Sequence, residues 1–293
     1  MSAAAQVRFV LVTLAGAAAL GVVSLGAADQ SSSLPGLDPR RPSVLDDARW
    51  AFYSARYESA AALARDPCVA DIDSLAACEL RTAALLLQIR RAMGDSPDTD
   101  ASWKRCIACP PLLAAFDATL AHAKAGARAR LREVPEDDET LFLLGKLDLN
   151  YVWLQLGTLG HKTGWAEYWE ARRSLDTVLT RQPGHVRARV ARGWIDYIVD
   201  TKMRRGTRWL LGGGNKTRGL AAIRSAAVTD ADFFTRAEAV FALWDMQVRE
   251  RDFAGALTTA HLLLLDFPDN QDLKRFIDQR RLNEATAAAA STN

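Results

Sequence analysis

Apolar side chains recur every three or four residues along most of this chain, the spacing that places them on one face of an α-helix. The pattern predicts helices over residues 44–64, 75–93 and 111–134, and further pairs of helices from residue 135 onward. No stretch shows the strict alternation that is typical of a half-buried strand. The sequence therefore predicts an all-α protein of roughly ten helices.

Glycine, small residues and proline follow a regular spacing in the second half of the chain. Pro135 precedes Gly145 by ten residues, and Pro183 precedes Gly193 by the same ten. Small or apolar residues lie 12, 8 and 5 positions before a proline in two places, namely Ala171, Leu175 and Val178 before Pro183, and Ala256, Ala260 and Leu263 before Pro268. Small residues at such points let two antiparallel helices approach closely, and the proline ends the pair.

This spacing resembles the tetratricopeptide repeat (TPR), a helix-turn-helix unit of roughly 34 residues. The segments ETLFLLGKLDL, EYWEARRSLDTVLTRQPGH and RDFAGALTTAHLLLLDFPDN carry the resemblance. The chain departs from an ordinary repeat because Gly145 to Ala171 and Gly193 to Gly219 both span 26 residues, where about 12 are usual. Both units therefore hold the same insertion and repeat with a period of 48 residues, which indicates a duplication.

The resemblance implies a TPR-like right-handed superhelical solenoid of antiparallel helix pairs. Residues 44–134 are interpreted as an N-terminal helical region with degenerate repeats. Residues 135–282 hold the repeats with the 48-residue period and a capping helix, and residues 283–293 are predicted to be a disordered tail.

The N-terminus has the pattern of a targeting segment. Residues 1–28 carry one basic side chain, Arg8, followed by an uncharged run over 9–28 that ends in small residues, as a secretory signal peptide does. An apolar run of about 20 residues could also stay in the bilayer as an anchor. Either case predicts an exported protein, in the periplasm or on the outer face of the cytoplasmic membrane. Residues 29–43 predict a flexible linker.

Four cysteines are present, Cys68, Cys78, Cys106 and Cys109. An even number in an exported chain favours two structural disulfides, with three connectivities open. The C-x-x-C formed by the last two lacks the preceding strand of a thioredoxin-type redox motif, and Pro110 stands where covalent haem attachment needs histidine. The ten-residue spacing of the first two is unlike a zinc knuckle.

Composition and motifs argue against catalysis and nucleic-acid binding. The 37 basic and 35 acidic residues leave a net charge of +2, too little for a dedicated nucleic-acid binder. The four histidines are scattered, and no positioned nucleophile, acid–base pair or metal cluster is apparent. Glycines 212–214 lack the spacing of a phosphate-binding loop and predict a turn before a helix. We expect neither an enzyme nor a cofactor.

The segment 201–218 is basic throughout and contains no acidic residue. Within it Trp209 and Leu210 are accompanied by Arg204, Arg205 and Arg208, and the equivalent insertion in the preceding unit carries Trp165. Two interpretations stay open. The tryptophans pack against their own helices, or they form a contact surface for a protein or an anionic membrane.

Two acids recur at the repeat spacing, Asp148 and Asp196. The first helices of a TPR array line its concave groove, so these carboxylates could face a ligand. Equally, each could pair with an arginine of a neighbouring helix.

The resemblance implies an exported scaffold or adaptor that mediates protein–protein interactions in the cell envelope. Its partners would be envelope proteins, held as peptides or helices in the groove, with contact to the membrane surface as a further possibility. One alternative is a solute-binding accessory of a TRAP-type transporter, because exported TPR-like proteins of that kind enclose a pocket. Another is a membrane-surface organiser that retains its N-terminal segment. A compact apolar pocket would favour the solute-binding function, and an open groove would favour the adaptor.

Overall fold

A computed structural model describes residues 43–68, 72–94, 98–203 and 205–291. These residues form twelve α-helices and no strand, which confirms the all-α fold. The proposed signal segment, the linker before Ser43 and Arg204 lie outside the described residues.

The helices follow one another with short connections. In chain order they are α1 (Val44–Tyr53), α2 (Tyr57–Leu63), α3 (Ile72–Met93), α4 (Thr99–Arg105), α5 (Cys109–Glu133), α6 (Asp138–Val152), α7 (Trp165–Arg181), α8 (Val186–Lys202), α9 (Lys216–Ala227), α10 (Phe233–Arg249), α11 (Phe253–Asp266) and α12 (Gln271–Ser291). A π-helical turn (Trp153–Thr158) follows α6, and a 3-10 turn (Arg205–Leu211) follows α8.

Consecutive helices pack as pairs, α6 on α7, α8 on α9 and α10 on α11. Each pair also touches the next, because α7 contacts α8, and α8 and α9 both contact α10. Upstream, α3 packs on α5 and on α6. The apolar faces of neighbouring pairs are therefore buried against one another. A helix with one apolar face needs such a neighbour to remove that face from water.

The 48-residue spacing corresponds to equivalent helix crossings. A Cβ atom placed on Gly145 would lie 3.5 Å from Leu175 Cγ, and one placed on Gly193 would lie 3.1 Å from Ile223 Cγ1, the residue 48 positions after Leu175. The second crossing is the closer one. A Cβ atom on Gly219 would stand only 2.5 Å from the Gly193 carbonyl oxygen. Glycine is therefore needed at residue 219 for α8 and α9 to approach this closely.

The helix predicted over residues 44–64 is two helices, α1 and α2. The chain breaks between them at Ala55, whose φ of 59° lies in the left-handed region that ends a helix. The Ala55 carbonyl oxygen accepts a hydrogen bond from Arg91 Nη1 at 3.1 Å. A side chain from α3 thus satisfies a carbonyl that the break leaves without a helical donor.

The C-terminal helix is longer than the sequence pattern indicates. We expected a disordered tail from residue 283, whereas α12 continues to Ser291. Alanines fill positions 287–290, and alanine is the best helix former, so the helix persists without an apolar stripe to bury.

Two disulfides are formed, Cys68 with Cys78 and Cys106 with Cys109. The first ties the segment after α2 to α3, and the second ties the end of α4 to the first residue of α5, with Cα separations of 5.1 and 5.3 Å. All four cysteines are buried. This arrangement is typical of structural disulfides and fits an oxidising compartment.

Within the described residues no single helix is long and apolar enough to cross a membrane, although α4 and α5, bent by 100° between them, meet that criterion together by length and composition.

Candidate functional site

The helices line a large cavity of about 1850 Å³ that is partly open to solvent. Its wall comes from α3, α6, α8, α10 and α12, together with the end of α1 and the start of α2. Much of the lining is aromatic or aliphatic, including Phe52, Tyr57, Leu86, Leu149, Trp153, Val190, Trp194, Phe234, Phe241 and Phe276. The volume exceeds the roughly 300–1,000 Å³ of ordinary small-molecule sites, so an extended ligand fits. We call this cavity the chamber.

Aromatic rings join the first helix to α10 and to Phe267, the residue that follows α11. The Trp50 ring of α1 lies 5.1 Å from the Phe267 ring and stacks on Phe233 at 5.7 Å, measured between ring centroids. Tyr53 of α1 packs on Phe267 at 5.6 Å and on Phe241 of α10 at 5.3 Å. Such pairs stabilise a contact beyond the apolar area they bury. The N-terminal end of the described chain is thereby packed against its C-terminal end.

Hydrogen bonds fasten the same junction. Asn270 Nδ2 donates to the Tyr53 carbonyl oxygen at 2.7 Å. Asp272 of α12 accepts a hydrogen bond from the Tyr57 hydroxyl at 3.2 Å and pairs with Arg91 Nη2 of α3 at 2.9 Å. Burial and the adjacent Asp272 carboxylate raise the pKa of Tyr57 above its usual range, so the hydroxyl remains a donor. We call this set of contacts the closure, because it joins α1, α2 and α3 to α10 and α12 beside the chamber.

Four charged side chains meet on the chamber wall, each from a different helix. Lys146 of α6 lies 2.7 Å from Glu238 of α10 and 3.6 Å from Glu79 of α3, measured from Nζ to the carboxylate oxygens. Arg187 of α8 lies 2.6 Å from Glu238 and 3.4 Å from Glu79. Two acids and two bases therefore alternate around a closed square of ion pairs. We call these four residues the charge square.

The electrostatics of the charge square favour the fully ionised state. Burial by itself would raise the pKa of Glu238, but Lys146 and Arg187 outweigh burial and hold that pKa at about 2. Burial would likewise lower the pKa of Lys146, and the two carboxylates raise it instead. The square has no net charge and its members satisfy one another. It links four helices around the chamber and offers no unpaired charge to a ligand.

The two repeated acids turn away from the chamber. Asp148 is fully buried against the Lys124 ammonium of α5, and burial raises its pKa to about 7 in spite of that lysine. Asp196 accepts hydrogen bonds from Arg218 Nε and Nη2 of α9 at 2.7 and 2.8 Å, and also pairs with Arg192. Neither carboxylate lines the chamber. Both occupy helix-to-helix ion pairs within the protein.

The residues of the proposed contact surface are only partly brought together. Trp209 and Leu210 are 72% and 53% exposed on the 3-10 turn, and Trp165 is 44% exposed at the start of α7. Arg208 is occupied, since it pairs with Asp200 and donates to the Met203 carbonyl oxygen. Arg204 and the side chain of Arg205 lie outside what the structure describes.

Side chains of α7 bind the neighbouring glycine loop through hydrogen bonds to its backbone carbonyl groups. Arg172 of α7 donates to the carbonyl oxygens of Leu211 and Gly212 at 2.8 Å each, and the Tyr168 hydroxyl donates to Leu211 at 2.8 Å. Gly212 and Gly213 have φ values of 71° and 72°, which glycine adopts at little cost. The loop therefore presents Trp209 and Leu210 outward while Leu211 is buried.

Replacing both Trp209 and Leu210 with serine is expected to shift the melting temperature by no more than about 2 °C, because neither side chain fills the core. Leu211→Ser is the matched control, since it buries a polar group in the adjacent core position and should lower the melting temperature clearly. Thermal melting followed by circular dichroism checks both variants. A large loss of stability in the double variant would show that the exposed pair packs against the protein after all.

Sequence reasoning missed the charge square. Lys146 and Glu238 are 92 residues apart, and Arg187 and Glu238 are 51 apart, so no local motif contains them. One signal was present: Lys146 interrupts the apolar segment ETLFLLGKLDL beside Gly145. A base at that place on a helix with an apolar face indicates a buried partner.

No group of three or more potential metal ligands occurs among the described residues. No protein-family model matches this chain, and neither a curated protein nor a solved structure matches it.

Proposed function

We propose that this protein binds an extended, largely apolar ligand inside the chamber. The observation that carries the proposal is the closure, which packs α1 and α2 against α10 and α12 around a cavity of about 1850 Å³. These contacts tie α1 and α2 to α10 and α12 beside the cavity, which favours a ligand held between the helices over a partner helix laid along an open groove. The aromatic and aliphatic wall suits an apolar ligand.

The chain's architecture supports the same proposal. We infer that the helix pairs stack as a TPR-like right-handed superhelix whose two ends meet. The equivalent crossings at Gly145 and Gly193, 48 residues apart, support a repeated unit. Stacked repeats turn their first helices toward the concave side, and α6, α8 and α10 are the helices that line the chamber.

We place the protein in the cell envelope, as a solute-binding accessory of a transport system of the TRAP type. The two buried disulfides support an oxidising compartment. The apolar segment over residues 9–28 supports export. In that setting the chamber would carry a poorly soluble molecule between a membrane and a transporter.

The test uses the neutral apolar dye Nile red, whose fluorescence rises in an apolar site. We expect saturable binding to the full mature chain, and about tenfold weaker binding to Ala83→Trp, because residue 83 lines the chamber on α3 and the larger ring fills it. Ala118→Trp, on the exposed face of α5, is the control and should bind as the unmodified chain does.

Circular dichroism and thermal melting establish that both alanine variants are folded. Absence of saturable dye binding to the unmodified chain would overturn the proposal. Equal affinity of a folded Ala83→Trp variant would do the same, because it would place the dye outside the chamber.

A second candidate function is the adaptor, and the exposure of Trp209 and Leu210 favours it. Exposed aromatic and aliphatic anchors beside arginines are typical of protein interfaces. Crosslinking in intact envelopes, with the unmodified chain and with Trp209→Ser, tests it. Loss of one defined envelope protein in the variant supports the adaptor, and identical crosslinked products from both chains exclude this surface.

A further inference from the structure

One corner of the chamber, between α10, α11 and α12, contains two hydrogen-bond donors without acceptors. Trp244 Nε1 of α10 and Arg280 Nε of α12 are both buried and neither has a partner. Both residues line the chamber. A buried donor that lacks an acceptor costs free energy, and such atoms are uncommon in folded proteins.

The two donors have one aromatic neighbour in common, the Phe276 ring. The Trp244 ring packs edge-on against the Phe276 ring at 5.5 Å between centroids. The Arg280 guanidinium carbon lies 4.0 Å from the centroid of Phe253 and 5.9 Å from that of Phe276. A guanidinium that lies on aromatic rings is attracted to their faces, and its N–H groups can still donate hydrogen bonds. We call Trp244, Arg280, Phe253 and Phe276 the donor corner.

The charge of the donor corner differs from that of the rest of the wall. Among the described residues Arg280 forms no ion pair, whereas Lys146 contacts two carboxylates and Arg187 contacts three. Arg251, two residues before Phe253, also lines the chamber and forms no ion pair within the described part of the chain.

Two acids on the helices that form this corner are already occupied. Asp245 of α10 pairs with Arg249 at 3.0 Å. Asp272 of α12 pairs with Arg91 and with Arg275. Neither of these two carboxylates pairs with Arg280.

We infer that the donor corner binds an anionic oxygen group of the ligand, with Arg280 as the charged donor and Trp244 Nε1 as the second donor. This inference rests on the proposed function of the chamber. The Nε and Nη groups of a guanidinium present two parallel N–H donors, which match two oxygens of a carboxylate or a phosphate. The aromatic walls exclude water around such a contact and thereby strengthen it.

The inference gives the ligand a direction within the chamber. Its anionic end would lie at the donor corner, and its apolar part would extend along the walls that α3, α6 and α8 contribute. Because Arg280 Nε is covered in this structure, the side chain has to shift on its aromatic support to receive the ligand. The neutral charge square is left undisturbed, since its four members satisfy one another.

The experiment compares three probes of equal chain length: dodecanoic acid, dodecyl phosphate and dodecanol. Calorimetric titration of the full mature chain should show at least one of the two anions binding about tenfold or more tightly than the alcohol. The anion that binds more tightly identifies the source of the oxygen group as carboxylate or phosphate.

Four variants locate the effect. Arg280→Met keeps an apolar stem on Phe253 and should abolish the preference for the anion while leaving dodecanol affinity within about twofold. Trp244→Phe removes one N–H and should reduce the preference by a smaller factor. Arg224→Met on the exposed face of α9, and Trp103→Phe on α4 outside the chamber, are the matched controls and should keep it.

The outcomes separate this inference from the proposed function. Equal affinity for alcohol and anions, or an undiminished preference in a folded Arg280→Met variant, overturns the donor corner while Nile red binding still supports the chamber. If neither Nile red nor any of the three probes binds, both proposals are wrong.

Discussion

Replacing Glu238 with glutamine is expected to lower the free energy of unfolding by about 3–5 kcal/mol. The substitution keeps the shape of the side chain but leaves Lys146 with Glu79 alone, at 3.6 Å, and Arg187 with Glu79 at 3.4 Å and the more exposed Glu139 at 3.9 Å. Removing one partner of a buried ion pair leaves a charge that burial strongly disfavours. Urea denaturation measures the loss, with Glu136→Gln on an exposed connection as the control of the same chemistry.

A second variant separates charge balance from a general defect at residue 238. Adding Lys146→Met to Glu238→Gln removes one acid and one base, so Arg187 and Glu79 remain as a matched pair. This double variant should be more stable than Glu238→Gln alone. If the double variant is instead the less stable one, the square does not act through charge balance.

Acid should act on the same group. The ordinary pKa of a glutamate is near 4.5, and Lys146 and Arg187 hold that of Glu238 at about 2 in the folded protein. The folded state therefore binds the proton more weakly than the unfolded state does. The stabilisation from Glu238 is complete above about pH 4.5 and is lost as the pH falls toward 2. Between those pH values the free energy of unfolding should therefore depend less steeply on pH in Glu238→Gln than in the unmodified chain.

Gly219→Ala is expected to cost about 1–3 kcal/mol of unfolding free energy, although alanine favours a helix over glycine. The new methyl group would lie 2.5 Å from the Gly193 carbonyl oxygen, a backbone atom that cannot rotate away. The α8–α9 pair must therefore separate, which loosens packing around Ile223.

Two other glycines provide comparisons for the loss of stability expected in Gly219→Ala. At Gly145 an added Cβ atom would lie 3.4 Å from the Ala171 carbonyl oxygen, so Gly145→Ala should cost less. At Gly184 an added Cβ atom would meet nothing within 4 Å, and Gly184→Ala is the control. Denaturation of the three variants should rank them in that order. A neutral Gly219→Ala would mean that the crossing tolerates a wider separation than the structure has.

Features that depend on neighbouring positions were predictable from the sequence. The helical periodicity, the buried small residues of α7 and α11, and the crossings at Gly145 and at Gly193 each depend on a single helix pair. Each of these helices can bury its apolar face only against the next one, so the local pattern already specifies the contact.

The chamber depends on contacts that no local pattern contains. Tyr53 and Asn270 are separated by 217 residues, and Arg91 and Asp272 by 181. Whether a stack of helix pairs leaves a groove or closes on itself follows from small rotations added up over all pairs. The sequence pattern of each pair is the same in both cases, so the closure could not be read from it.

The repeated acids show how equivalent positions acquire different partners. Asp196 pairs with Arg218 of α9. The residue 48 positions before Arg218 is Glu170, whose charge would repel Asp148. In that unit Lys124 of α5 contacts Asp148 and lies 3.7 Å from Glu170. At both equivalent positions the aspartate therefore has a basic partner, but the base comes from a different neighbouring helix in each unit.

The closure also bears on how the chain reaches its folded state. Helix pairs that contact only their neighbours can form by propagation along the chain, because each contact closes a short loop. Joining Tyr53 to Asn270 restricts 217 residues at once, and it repays that entropy only after the intervening pairs are in place. We therefore expect the chamber to be completed last during folding, and a nascent chain lacks the α12 part of its wall until that helix has been synthesised.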